Sequence, residues 1–231
     1  MAIDYTYDDD YSYNNSAGYT YPTENYTPDG NGGVNTELII NPIDSAVRDG
    51  AIAAYYRFFP GYAPVDTTAG IFHKFTIGNV DVFMTDVRSS KASTYAAFEY
   101  DSTNNEWIFA PSADHSILGT VQREWLLDGL RNSTADWKII GSGLVFNPKY
   151  DFYLNVGLLV QNTQVSLGGV TGSGVTLAAA MADNWTGYPV DQDSLISIYR
   201  SGEVKDVLLT SGDTHSSVID DGTNSVIPEL N

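Results

Sequence analysis

An apolar run from Val204 to Thr210 leads straight into Ser211-Gly212-Asp213-Thr214-His215. A short run rich in valine and leucine reads as a buried strand. The glycine just beyond it lets the backbone turn tightly. In extended chain, residues two apart point to the same side. Asp213 and His215 would then project together from the carboxyl end of a strand, where α/β proteins place ligand sites. A carboxylate and an imidazole converging there can bind a metal. Taken alone, Asp-x-His is a short pattern, and a turn-capping Asp213 beside a surface His215 accounts for it better.

Strand and helix patterns alternate through much of the remaining chain. The stretch from Asp44 to Pro60 reads as a helix that Pro60 stops. Ile77 to Thr85 alternates around Val80, Val82 and Met84 and reads as a strand. Gly119 to Arg131 predicts an amphipathic helix with Val121, Trp125, Leu126 and Leu130 on one side. Trp137 to Phe146 predicts a strand and Asp191 to Arg200 a short helix. Such alternation points to an α/β architecture, and no linker or repeat divides it. Residues 1–43, rich in tyrosine, asparagine, aspartate and glycine, read as irregular loop. Phe152 to Ala182 carries no charge, yet glycines and Asn155, Gln161, Asn162 and Gln164 interrupt it. A membrane span needs about 20 predominantly apolar residues, so this stretch is expected to be a buried strand pair or an ordered insertion. Met1 to Asp10 has neither the basic start nor the apolar run of a signal peptide.

The charge balance narrows the partners. Twenty-nine acidic against eleven basic residues give a net charge of −18. That field repels phosphate backbones and anionic membranes and attracts cations. With no cysteine, thiol nucleophiles and cysteine metal sites are excluded for this chain. Its 42% hydrophobic content is enough for a core. No G-x-S-x-G, P-loop or G-x-G-x-x-G motif is present. The run Asp8-Asp9-Asp10 suits calcium, although a solvated acidic loop explains it as well or better. Arg88, in Asp86-Val87-Arg88 at the end of a strand, could hold a phosphate bidentately, and an Asp86–Arg88 ion pair is an equal reading. His73 and His115 show no ligand spacing and read as structural.

In order along the chain, several blocks together resemble the PhoD-like alkaline phosphatase and phosphodiesterase family of calcineurin-like metallophosphoesterases. Tyr7-Asp8-Asp9-Asp10-Tyr11-Ser12-Tyr13-Asn14-Asn15 is similar to its W-D-D-H-E-x-x-N-N block. Arg48 to Pro60 is similar to its R-x-A-A helix, and Phe75 to Arg88 to its strand ending in D-x-R. Leu118 to Leu126 resembles L-G-x-x-Q-x-x-W-L, and Ser133 to Ile140 resembles S-x-A-x-W-K-x-I. Asp183 to Tyr188 resembles D-x-W-x-G-Y, and Ser211 to Ser217 resembles S-G-D-x-H-S-S.

The resemblance implies an αββα sandwich of mixed sheets flanked by helices and metal-dependent hydrolysis of phosphate mono- or diesters. It implies Asn14, Asp213 and His215 as metal ligands, and Arg88 and Asp10 as catalytic residues. The metals would be calcium and iron, with manganese and zinc as alternatives. The partner would be a small phosphate ester, with no stable nucleic-acid partner. The intact protein would be extracellular or periplasmic. Asp10 stands where the family has histidine, Tyr11 where it has glutamate, and Lys91 where a second arginine follows D-x-R. The family's upstream G-D-x-x-Y block has no counterpart here, so residues 1–231 are expected to be a partial domain with residues 1–43 as its irregular metal-site region. An inactive metal- or ligand-binding domain with the same core is the alternative.

Overall fold

The computed structural model describes residues 22–28, 34–40, 45–59, 61, 63, 65–166, 176–215 and 217–231. In chain order the strands are β1 (Pro22–Pro28), β2 (Val34–Ile40), β3 (His73–Ile77), β4 (Val80–Met84), β5 (Phe98–Asp101), β6 (Glu106–Phe109), β7 (Trp137–Gly141), β8 (Val207–Thr210), β9 (Ile219–Asp220) and β10 (Glu229–Leu230). The helices are α1 (Ser45–Phe58), α2 (Gly119–Asn132), α3 (Asp151–Ser166), α4 (Thr176–Met181) and α5 (Pro189–Arg200).

Strands β4, β7, β8 and β10 run parallel to one another. With β3 and β9 antiparallel at the two edges, they form a six-stranded mixed sheet ordered β3-β4-β7-β8-β10-β9. Two further antiparallel hairpins, β1–β2 and β5–β6, each form a separate two-stranded sheet. The molecule is thus an α/β protein with a mixed sheet flanked by helices. Leu126 and Leu130 of α2 and Leu195, Ile196 and Ile198 of α5 bury against Phe83, Ile140, Val207 and Leu209 of the sheet. A smaller cluster joins Tyr95, Phe98, Leu154 of α3 and Ala178 and Ala179 of α4.

Four local readings change. Val34 to Ile40 pairs with Pro22 to Pro28 as a hairpin, so part of the expected loop region is strand. The signal lay in Asp29-Gly30-Asn31-Gly32, a turn-forming composition just ahead of the β-prone run Val34 to Ile40. The strand expected from Ile77 starts at Val80, because Gly78, with φ of +61°, turns the chain between β3 and β4. Its buried positions are Asp81 and Phe83 rather than Val80 and Val82. The uncharged stretch after Phe152 forms helices α3 and α4, not a strand pair. The Asn162 side chain there accepts from the Trp107 N–H at 2.7 Å and donates to the Trp107 carbonyl at 2.9 Å, fastening α3 to β6. Among the described residues no helix is long and apolar enough to cross a membrane. Within α2, Val121 faces solvent, and its neighbour Gln122 takes the inward position.

Candidate active site

Because β4, β7, β8 and β10 are parallel, their carboxyl ends open on one edge of the sheet, the usual place for an α/β site. The segment after β4 is shaped by Asp86, whose carboxylate accepts the N–H groups of Ile71, Arg88 and Ser89, each at 2.9 Å. Gln122 grips the same residue from α2, accepting the Asp86 N–H and donating to its carbonyl, both at 2.7 Å. Gly70 lies against this carboxylate with φ of +144°, and a Cβ there would come within 2.6 Å of Asp86 Oδ2. Asp86 is therefore occupied by backbone, and of the two readings weighed for this segment the Asp86–Arg88 side-chain ion pair does not form.

Arg88 points to two other carboxylates instead. Its Nη1 lies 3.3 Å from Asp183 Oδ2 and its Nη2 lies 3.5 Å from Asp213 Oδ2. Lys91, with no exposed side-chain surface, places Nζ on Asp183 Oδ1. Burial by itself would raise the Asp183 carboxyl, but the Lys91 ammonium and the Arg88 guanidinium overcome it and hold it below the ordinary value. Below the pair, Tyr188 donates to the Ala92 carbonyl and accepts from Thr94, each at 2.9 Å. The Tyr188 ring stacks on His115 at 4.7 Å. Burial, and then Lys91, push the His115 imidazole below its ordinary value and favour the neutral ring.

The Asp183 segment is locally specified. The Asn184 side chain accepts the Thr186 N–H at 2.9 Å and caps the turn that follows. Trp185 is fully buried and donates from Nε1 to Ser142 Oγ at 3.0 Å. At Gly187 a Cβ would lie 2.1 Å from the Ala182 carbonyl oxygen, so only glycine fits.

The loop after β8 departs from expectation. Strand β8 ends at Thr210. Asp213 and His215 then adopt φ of 76° and 52°, so the rule for extended chain does not place their side chains. Both residues are solvent-exposed. The loop is anchored from β10 and the residue beyond it. Ser211 donates to Glu229 Oε1 at 2.5 Å, and Thr214 donates to Asn231 Oδ1 at 2.5 Å. Burial raises the Glu229 carboxyl. A cleft of about 380 Å³ opens beside this loop, with Asp183 and Asp213 in its lining.

A family model described as PhoD-like phosphatase matches residues 6–228. The chain belongs to the PhoD-like phosphatase family. Alkaline phosphatase D of Bacillus subtilis (strain 168) is 26% identical over 179 residues, which cover 74% of this chain and 26% of that protein. The chain thus spans about a quarter of the length of this curated relative. A solved structure described as "Structure of PhoD" aligns with a TM-score of 0.48 and 20% identity, over 79% of this chain and 33% of that one.

At the carboxyl edge of the strands, the structure brings Arg88 to Asp213 and sets His215 in the same loop. Asp10 and Asn14 lie outside the described residues. Sequence reasoning missed Asp183 as a site residue and treated Lys91 only as a substitution. The signal available was the acid that opens Asp-x-Trp-x-Gly-Tyr, in a chain with few cations to share. Gln192, which with Asp193 falls near the position where the resemblance implies an arginine, donates to the Phe146 carbonyl at 2.5 Å. Asp213 and His215 offer one carboxylate and one imidazole, a donor chemistry that fits part of a first-row metal's ligand set. Among the described residues no group of three or more histidine, aspartate and glutamate side chains converges as a metal site.

Proposed function

We propose that the chain acts as a phosphoesterase, hydrolysing phosphate mono- or diesters with bound metal. The observation that carries this reading is the placement of Arg88 between Asp183 and Asp213 at the carboxyl edge of the parallel strands, in a chain of the PhoD-like phosphatase family. A guanidinium matches phosphate geometry bidentately. Its contact with Asp213 is long and solvent-facing, so an incoming phosphate can replace it. Asp183, buried and doubly paired, keeps the guanidinium oriented during that exchange.

Asp213 and His215 are the proposed metal ligands among the described residues, with Asn14 joining them and Asp10 acting in catalysis by resemblance. Calcium and iron are the proposed metals, with manganese and zinc as alternatives. When bound, such a metal supplies Lewis acidity toward phosphoryl oxygens and lowers the pKa of coordinated water. Export to an extracellular or periplasmic space belongs to the same proposal. The second reading, an inactive ligand-binding domain with this core, is favoured by one observation. Asp10 and Tyr11 replace a histidine and a glutamate of the family block.

The test is hydrolysis of 4-nitrophenyl phosphate and bis(4-nitrophenyl) phosphate with iron, calcium, manganese or zinc added in turn. Metal-dependent turnover that His215→Ala abolishes is the expected result. No turnover from folded protein under any metal would overturn catalysis and favour the second reading.

A further inference from the structure

The cleft beside the 211–215 loop is lined by two unlike kinds of group. One is the pair of carboxylates that hold Arg88, Asp183 and Asp213. The other is apolar and aromatic, chiefly Leu144, Tyr150, Tyr153 and Met181. Leu144 is buried and belongs to the sheet core. Tyr150 and Tyr153 pack with ring centroids 5.3 Å apart. Tyr153 and Met181 keep exposed surface, so a bound apolar group would remove that surface from water. The size, about 380 Å³, falls within the range that holds a small organic ligand.

Resting on the phosphoesterase reading above, we infer that this cleft is the leaving-group subsite, and that it selects phosphate esters of uncharged alcohols with an aromatic or apolar body. A phosphoryl group on Arg88 has the cleft as its neighbour, because both carboxylates that touch the guanidinium also line it. Among the described residues lining the cleft there is no lysine or arginine. A second anionic group on the leaving alcohol would therefore meet no counter-charge in this lining, and Asp213 is already engaged by Arg88 and the proposed metal. Nothing offsets the desolvation of that group against the tyrosine and methionine surfaces. Nucleotides and polyphosphates are therefore poor occupants. A phenyl-sized group, by contrast, gains from contact with the tyrosine and methionine surfaces.

The test is calorimetric binding to the full chain, with manganese held constant, of methylphosphonate, phenylphosphonate and phenylphosphonate bearing a para carboxylate. We expect phenylphosphonate to bind at least about tenfold tighter than methylphosphonate. The carboxylate should remove most of that gain. Tyr153→Ala and Met181→Ala, on separate helices, should each lower phenylphosphonate affinity more than methylphosphonate affinity. Equal affinities for the phenyl and methyl compounds, or undiminished binding of the carboxylated ring, would overturn the subsite while leaving the phosphoesterase reading intact. Absence of binding by all three, from protein that circular dichroism shows to be folded, would overturn that reading and the subsite with it.

Discussion

Two acids hold the same guanidinium in different ways. Asp183 is buried, gripped by Lys91 as well as Arg88, and placed by a capped turn in which Gly187 and Trp185 leave no slack. Asp213 meets Arg88 at 3.5 Å, faces solvent, and sits on a loop whose backbone is left-handed at two non-glycine residues. Such conformations cost energy for residues with a Cβ and persist because the loop is tied to Glu229 and Asn231. The contrast separates a fixed frame from an exchangeable contact. Removing a member of the frame should cost folding. Removing a member of the loop should cost chemistry.

The largest effect is expected at the frame. Asp183→Ala removes the carboxylate that buried Lys91 and Arg88 share and should destabilise the fold by about 3–5 kcal/mol. Urea unfolding measures it, and a loss below about 1 kcal/mol would erase the distinction drawn between the two acids. The double variant Lys91→Met with Asp183→Leu should recover much of that loss, since an apolar pair replaces a buried ionic one.

Next in size is the group that both acids share. Arg88→Ala should lower kcat on the order of a hundredfold, about 2.7 kcal/mol of transition-state stabilisation. Steady-state kinetics on the phosphomonoester decide this. A change confined to KM would make Arg88 a ground-state binder only.

Acid titration sharpens the comparison further. The Asp183 carboxyl is held below its ordinary value in the folded protein. Its contribution to stability is therefore present above that ordinary value and is lost as pH falls through the depressed one. Asp81, in β4 and away from the loop, is a control of the same sign. Burial opposes its ionisation, but Lys74, Ser133 and Thr76 together hold its carboxyl at about 2 against an ordinary 3.8. Its share is lost as pH falls from 3.8 towards about 2. Asp183→Asn should flatten the acid limb of the unfolding curve. An acid limb unchanged by that substitution would break the comparison.

The smallest expected change is in the stability of the loop variant itself. Asp213→Asn should shift the unfolding free energy by no more than about 0.5 kcal/mol, as for an exposed site, because asparagine tolerates left-handed backbone. Metal-dependent turnover should nevertheless fall sharply. A stability loss comparable with that of Asp183→Ala would show that the loop, too, belongs to the frame.

Much of the fold is legible along the chain. Helices α1, α2 and α5 lie where periodicity and stop residues put them, whereas strands β7 and β8 are shorter than read, β7 ending at Gly141 and β8 starting at Val207. The inward face of β4 and the position of Gln122 were not legible. In both places a polar side chain is buried because a specific partner awaits it, and hydropathy does not encode partners. The helical nature of Asp151 to Ser166 was hidden for a related reason. An uncharged stretch without strong amphipathic contrast fits a strand or a helix equally well, and Asn162 acquires its meaning only against β6.

For the site, the chain on its own determined that Asp86-Val87-Arg88 and Gly212-Asp213-Thr214-His215 follow strands. Parallel pairing then brings them to one edge. The tertiary structure decided which charges meet. Arg88 and Lys91 reach Asp183 across 95 and 92 residues. It also decided that Asp86 serves backbone N–H groups rather than Arg88. Local sequence reports what a short segment can do by itself, through turn geometry and period. The choice of a partner for a buried charge depends on which surfaces enclose it, and those come together only when the sheet, the α3–α4 layer and the turn at Gly187 have packed.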